Sequence, residues 1–233
     1  MKTLFLTLFV LPLLLFFGAT TMAAEYKKLV LSDSTEIEYA LVLPANFQKG
    51  KAYPAILAFP GGRQSIQGVA TTLERFWETE ALKRGFIVIS PAAPAGKPFF
   101  EDGADLIPEF LRHFLDAYRI KDERFHIAGH SNGAVSAFRV AVRNPQMVRS
   151  VIALAGFPEE QRDFALLERI KGLDVAMFVG DGDQYWKEGM QKTKDALESF
   201  GTRVYFEVIP RNGHFLPNIT YENSWKIFDH IRN

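Results

Sequence analysis

Three residues, Ser131, Asp183 and His214, are of the types that nucleophilic catalysis by a serine requires, a nucleophile, an acid and a base. Ser131 lies at the centre of the segment Gly129–Gly133 (GHSNG), a G-x-S-x-G pattern that places a serine hydroxyl on a sharp turn between a strand and a helix. A serine hydroxyl is a weak nucleophile, so it needs a neighbouring base, and the base needs an acid that orients it. Together the three side chains would attack a carbonyl carbon, which is the chemistry of acyl transfer.

The setting of Ser131 favours this catalytic reading over a structural one. The apolar run Phe125–Ala128 comes just before the motif, and the helical pattern Asn132–Arg143 begins within it. Glycines two positions before and after the serine relieve the clashes of a strained turn, and the amino end of the helix favours negative charge there. The alternative is an ordinary strand-to-helix turn with an N-capping serine, since G-x-S-x-G also arises by chance.

The acid and the base are predicted in loops that follow later strands. The apolar run ending at Val179 is followed by the turn GDGD, which contains Asp181 and Asp183, and the run ending at Ile209 is followed by a loop that carries His214. The carboxyl ends of parallel strands meet at one edge of a sheet, so both loops can reach the serine. Asp183 is preferred because it lies farther into its loop. Asp181 is the alternative, and otherwise caps the turn.

Two backbone amides are candidates for an oxyanion hole. One belongs to Asn132, the residue after the nucleophile. The other lies in the loop after the run AILAF, whose Gly-Gly pair lets the backbone approach a substrate closely. Gly62 is preferred there, with Arg63 as the alternative; a plain glycine turn is the structural reading.

The remaining histidines are predicted to have structural roles. His113 and His230 fall in helical patterns, His126 lies within a strand pattern, and His130 is the variable residue of the serine motif. None of them follows a strand in the way that His214 does.

Strand and helix patterns alternate along the chain. The predicted strands are Lys28–Leu31, Glu36–Leu43, Ala55–Phe59, Phe86–Ser90, Phe125–Ala128, Val148–Leu154, Val175–Val179 and Val204–Ile209. The predicted helices are Val69–Arg84, Asp105–Tyr118, Asn132–Arg143, Tyr185–Phe200 and Asn223–Ile231. Continuous apolar runs are typical of strands buried on both faces. The alternation predicts an α/β fold, doubly wound, with a mostly parallel sheet and helices on both faces.

The amino terminus has the layout of a secretory signal peptide. Lys2 precedes the apolar segment Leu4–Phe17, and small residues lead to Ala24. The apolar segment is short for a membrane span, so an uncleaved anchor is the less favoured alternative. The sequence therefore predicts a signal peptide over residues 1–24, a single domain over residues 25–233, a secreted or periplasmic location and no stable membrane span after cleavage.

Composition excludes several classes of protein. The 233 residues contain 27 basic and 27 acidic side chains, without a basic cluster, so no nucleic-acid partner is predicted. There is no cysteine, which excludes disulfides, a thiol nucleophile and thiolate metal sites. The predicted chemistry needs neither a metal nor an organic cofactor. The sequence leaves the oligomeric state open.

On these residues the chain resembles the α/β-hydrolase superfamily over nearly all of its length. The motifs GHSNGA, FPGG, GDGD and NGH match that family in order, and the SNGA form of the serine motif is similar to the polyhydroxybutyrate depolymerase and feruloyl-esterase group. Dienelactone hydrolases and phospholipase/carboxylesterase relatives are also similar. The resemblance implies ester hydrolysis through an acyl-enzyme, with Ser131, His214 and Asp183 as the triad. Two departures are a proline at position 60, where a histidine is common, and the absence of cysteine.

The expected substrate is a small-molecule or polymer ester. The interval between the strands ending at Leu154 and Val179 is too short for a large cap, so little or no cap is predicted. Aromatic residues at 99, 100, 185 and 186 either line a substrate pocket or cover the core. Two other functions remain open, a serine peptidase or amidase of the same fold and a non-catalytic binding protein that retains the fold.

Overall fold

The structure is a computed structural model that describes residues 24–231. The predicted signal peptide lies outside the described residues, except for Ala24. In the described part, eight strands form one sheet in the order β1-β2-β4-β3-β5-β6-β7-β8. The strands are β1 Glu25–Val30, β2 Glu36–Val42, β3 Tyr53–Phe59, β4 Ile87–Pro91, β5 Ile120–His130, β6 Val148–Leu154, β7 Asp174–Gly180 and β8 Arg203–Ile209.

The sheet is mostly parallel. Strands β4, β3, β5, β6, β7 and β8 pair in parallel, whereas β1 pairs with β2, and β2 with β4, in antiparallel fashion. The apolar runs of β3, β4, β6 and β7 are buried almost throughout, as expected of strands covered on both faces. The carboxyl ends of β5, β7 and β8 therefore point to the same edge of the sheet.

Helices cover both faces of the sheet, as the sequence predicted. The helices are α1 Ile66–Thr72, α2 Glu78–Arg84, α3 Ile107–Ala117, α4 Asn132–Arg143, α5 Gln161–Phe164, α6 Gln184–Ser199 and α7 Trp225–Phe228. The apolar sides of α3, α4 and α6 pack with one face of the sheet in one hydrophobic cluster. The apolar sides of α1, α2 and α7 pack with the opposite face in a second cluster. This is the doubly wound arrangement.

The helix predicted over Val69–Arg84 differs from the observed one. It begins earlier, at Ile66, where the Ser65 hydroxyl accepts a hydrogen bond from a backbone amide of the first turn. Between α1 and α2 the chain forms a π-helix over Leu73–Trp77, in which the amide of Glu78 donates to the carbonyl of Leu73. Apolar spacing alone does not distinguish this wider turn from an α-helical one.

Two other predicted helices are shorter than expected. The segment Asp105–Tyr118 is a 3₁₀ turn over Asp102–Leu106 followed by α3. The segment Asn223–Ile231 is helical mainly as the single turn α7. Both short turns lie at element ends, where 3₁₀ geometry is common.

The connection between β6 and β7 has little cap, as predicted. It contains α5 and a 3₁₀ turn over Leu167–Ile170. A buried ion pair ties this connection to α4, with Arg139 Nε 2.6 Å from an Asp163 carboxylate oxygen. Arg139 also pairs with Glu160, and Asp163 also lies 3.6 Å from Arg143 Nε, so the buried pair belongs to a small charged network. Across residues 24–231, no helix combines the length and the apolar character needed to cross a membrane.

Candidate active site

Ser131 lies on a strained turn between β5 and α4. Its backbone has φ 56° and ψ −127°, a conformation that is costly for a residue with a side chain. The turn is fixed from both sides, because the Ser131 amide donates to the Leu154 carbonyl at 2.8 Å and the Ser131 carbonyl accepts from the Ala134 amide at 2.7 Å. The turn therefore presents the hydroxyl at the carboxyl edge of the sheet.

The two motif glycines permit this turn by close backbone contact. A Cβ atom at Gly129 would lie 2.2 Å from backbone atoms of Gly133, and a Cβ atom at Gly133 would lie 2.2 Å from the carbonyl oxygen of Phe59. Real Cβ atoms do not approach backbone this closely. The expectation that both positions must be small is consistent with these distances.

The structure brings Ser131, His214 and Asp183 together in one chain of hydrogen bonds. His214 Nε2 lies 2.8 Å from Ser131 Oγ, and His214 Nδ1 lies 2.7 Å from Asp183 Oδ2. With the neutral ring protonated at Nδ1, the ring donates to the carboxylate and accepts from the serine hydroxyl. Asp183 lies in the loop after β7 and His214 in the loop after β8.

Asp181 has a different set of partners. Its carboxylate accepts hydrogen bonds from the backbone amides of Arg211 at 2.9 Å and Asn212 at 3.1 Å. These backbone hydrogen bonds, that of Arg211 first, hold the pKa of Asp181 below its ordinary value. Asp181 thus fastens the loop that carries His214, and Asp183 is the aspartate that meets the imidazole.

Trp186 and His130 hold His214 in place, the first at its ring and the second at its backbone. The Trp186 ring stacks on the imidazole, with centroids 5.6 Å apart and planes 28° apart. His130 Nε2 lies 2.7 Å from the backbone carbonyl oxygen of His214 and donates to it. Burial lowers the pKa of His130 to about 4, so its ring is neutral at ordinary pH. The sequence offered no sign that the variable residue of the motif would support the loop after β8.

The oxyanion candidates lie beside the serine. Asn132 is the first residue of α4, and its side-chain amide donates to the carbonyl of Gly62 at 3.0 Å. Gly61 and Gly62 line the cleft over Ser131, whereas Arg63 is not among its lining residues. Within residues 24–231, the backbone amides of Asn132 and Gly62 donate to no protein acceptor.

An open cleft of about 410 Å³ lies over Ser131 and His214. Its other walls are formed by the following residues, which the sequence did not identify: Gly68, Thr71, Thr72, Arg75, Phe76, His130 and Phe215. Phe76 is buried, whereas Phe215 is 65% exposed at the rim. The cleft is thus bounded by the oxyanion loop, the α1 and π-helical segment, and the loop after β8.

The predicted pocket aromatics have other positions. Phe99 is fully buried and packs on Phe59, with ring centroids 5.2 Å apart, so it covers the core. Trp186 supports His214 from behind. Tyr185 is exposed and lines a separate depression next to Phe157.

The sheet order and the site define an α/β-hydrolase fold. The family model described as "Putative esterase" matches residues 33–201, and the chain belongs to that esterase family. A curated protein similar in sequence is dipeptidyl-peptidase 5 of Porphyromonas gingivalis, 27% identical over 169 residues. That match covers 65% of this chain and 24% of the peptidase, so the chain spans about a quarter of that relative.

Two solved structures illustrate the likeness of the fold. An S-formylglutathione hydrolase from Agrobacterium tumefaciens has a TM-score of 0.70 at 16% identity, with 88% of this chain and 93% of that chain covered. Est1E from Butyrivibrio proteoclasticus has a TM-score of 0.67 at 12% identity, with 89% and 97% covered. Because both identities are this low, the comparison shows a shared fold only.

Proposed function

We propose that the protein is a serine hydrolase that cleaves carboxylic esters through an acyl-enzyme intermediate. The observation that carries this proposal is the hydrogen-bonded chain from Ser131 through His214 to Asp183 at the floor of an open cleft. Membership of an esterase family supports ester hydrolysis as the reaction class. A serine, histidine and aspartate with backbone amide donors can catalyse this reaction without a metal or an organic cofactor.

The first half of the reaction forms the acyl-enzyme. His214 Nε2 takes the hydroxyl proton as Ser131 Oγ attacks the ester carbonyl. Asp183 keeps the Nδ1 proton in place and stabilises the imidazolium that forms. His214 then gives its proton to the departing alcohol. In the second half, water replaces the alcohol and the same steps release the acid.

The negative charge of each tetrahedral intermediate is assigned to the amides of Asn132 and Gly62. Both lie beside the nucleophile, and donors that are fixed before the reaction stabilise the transition state without reorganising. One such donor typically contributes about 10²–10³ in kcat. The hydrogen bond between the Asn132 side chain and the Gly62 carbonyl joins the two segments that carry these donors, so it fixes the donors relative to each other.

A second candidate function is peptide or amide hydrolysis. It is favoured by the sequence likeness to dipeptidyl-peptidase 5, and the same serine chemistry serves both reactions. A binding protein without activity is the least favoured, because binding alone has no need for three hydrogen-bonded catalytic side chains.

We also propose that the protein is exported and acts in a periplasm or outside the cell. The support is the sequence pattern of residues 1–24, a charged start, an apolar segment and small residues. Cell fractionation with amino-terminal sequencing of the recovered protein tests this. Full-length protein in the cytoplasmic fraction would contradict it.

The first experiment compares the chain from Glu25 onward with its Ser131→Ala variant on p-nitrophenyl acetate, butyrate and octanoate. We expect turnover of at least one ester, reduced by about 10³-fold or more in the variant, because the nucleophile is lost. A dipeptidyl p-nitroanilide measured in parallel tests the second candidate. Equal rates for both proteins, with circular dichroism showing that both are folded, would reject a serine mechanism.

A further inference from the structure

The π-helix between α1 and α2 forms one wall of the cleft. Two of its five residues, Arg75 and Phe76, line the same cleft as Ser131. A π-helical turn holds an extra residue in the helix, and such turns occur frequently at functional sites. Here the turn carries a charged side chain to the cleft, in a segment whose apolar side chains, Leu73, Phe76 and Trp77, are buried.

Arg75 brings a positive charge that no carboxylate neutralises within the described part of the chain. It forms no ion pair there, whereas Arg84, Arg139 and Arg143 each meet an acid. Its guanidinium lies over the Phe215 ring, 5.7 Å from the centroid. A cation–π contact of this kind orients an arginine without neutralising it.

The surroundings of Arg75 leave that charge available to a ligand. The eleven residues that line the cleft include one arginine and no aspartate or glutamate. Both histidines of the lining have tasks already, since His214 contacts Ser131 and Asp183, and His130 is buried against the His214 carbonyl. Phe76 and Phe215 supply apolar area beside the guanidinium. The cleft thus pairs an apolar wall with one fixed cation.

We propose that Arg75 is a specificity residue that binds a carboxylate on the substrate, so that the preferred esters have an apolar body and an anionic end. This inference rests on the proposed ester hydrolysis, because it assigns the substrate of that site. A guanidinium offers the planar pair of N–H donors that matches a carboxylate. The bond to be cleaved would lie at Ser131 and the anionic end at the π-helical wall.

The carboxylate can belong to the acyl group or to the alcohol, and two pairs of substrates distinguish these. For the acyl side, p-nitrophenyl hydrogen adipate is compared with p-nitrophenyl hexanoate, which has a methyl in place of the carboxylate. For the alcohol side, 4-acetoxybenzoate is compared with its methyl ester. The protein variants are Arg75→Gln, which removes the charge, and Arg75→Lys, which retains it. The control is Arg112→Gln, at an exposed position on α3.

We expect Arg75→Gln to lower kcat/KM for the anionic member of one pair by roughly 10- to 100-fold, mainly through KM, which is the range for losing a hydrogen bond to a charged group. The rate for the neutral member of that pair should change by much less, and Arg112→Gln should leave both members unchanged. Arg75→Lys should lose less than Arg75→Gln, because it keeps the charge without the planar pair of donors. Added salt should weaken the preference of the unaltered protein for the anionic member. Equal effects of Arg75→Gln on both members of both pairs would overturn the inference while ester hydrolysis still stands. No turnover of any ester by the folded protein would overturn both proposals.

Discussion

Two aspartates separated by one glycine have different tasks in the loop after β7. Asp183 accepts from the imidazole of His214, whereas Asp181 accepts from two backbone amides of the loop that carries that histidine. One residue orients the base and the other orients the base's loop. Two similar side chains thereby contribute to one function by separate routes.

Their separate tasks predict different kinetic effects for the same substitution. Asp183→Asn should lower kcat by about 10³–10⁴-fold with little change in stability, because an amide no longer fixes the imidazole tautomer. Asp181→Asn should lower the melting temperature and reduce kcat by less than about tenfold, since water and the remaining oxygen replace part of its bonding. Ester hydrolysis and thermal melts of both variants test this. A larger kcat loss for Asp181→Asn would reverse the assignment.

At the scale of elements, the turn at Ser131 depends on how closely α4 packs against β3 and β5. The helix begins immediately after the strained serine, and Gly133 brings its first turn against the backbone of Phe59. This contact lets the amino end of α4 face the cleft while its apolar side packs on the sheet. The geometry of the site and the packing of the core are therefore set by the same contact.

A methyl group at Gly133 should separate these elements. Gly133→Ala places a Cβ atom 2.2 Å from the Phe59 carbonyl oxygen, so we expect a loss of about 3 kcal/mol or more in the free energy of unfolding. Gly213→Ala is the matched control, because a Cβ atom there has nothing within 4 Å. Urea denaturation of both variants measures the difference. A Gly133→Ala protein as stable as the control would show that α4 can shift without cost.

The sequence predicted these elements unequally well. Apolar runs identified the parallel strands. The loops after them predicted that Ser131, Asp183 and His214 lie together, because the carboxyl ends of parallel strands lie at the same edge of the sheet. The cleft wall was not predicted. Arg75 and Phe76 lie in a stretch that reads as a core helix, and the π-helical turn changes which side chains leave the core. The role of His130 was not predicted either, since it depends on a loop 84 residues away.

For the molecule as a whole, two buried histidines couple stability to pH. Burial lowers the pKa of His126 to about 3 and that of His130 to about 4, from an ordinary value of 6.5. Above pH 6.5 both rings are neutral in the folded and unfolded states. Below that value the unfolded chain binds protons that the folded protein does not, so the free energy of unfolding falls with falling pH.

We therefore expect stability to decrease between pH 6.5 and about 3 to 4 by roughly 3–5 kcal/mol per histidine, in addition to the contribution of the carboxylates. His126→Gln removes one of the two titrating rings, so it should flatten this decline. The substituted position lies far from Ser131 along β5, where His126 contacts Ser150. Urea titrations at several pH values, with and without this substitution, measure the slope. Parallel slopes for the two proteins would show that His126 does not titrate as burial predicts.

The position of β8 has a consequence for the working lifetime of the protein. Ser131 follows β5 in the middle of the sheet, whereas His214 follows β8, which is an outermost strand paired only with β7 among the described strands. Strands at an edge open at lower free energy than central ones. Mild heating would then detach the base from the nucleophile while most of the core stays folded. Inactivation would precede unfolding and reverse on cooling, as β8 pairs again with β7.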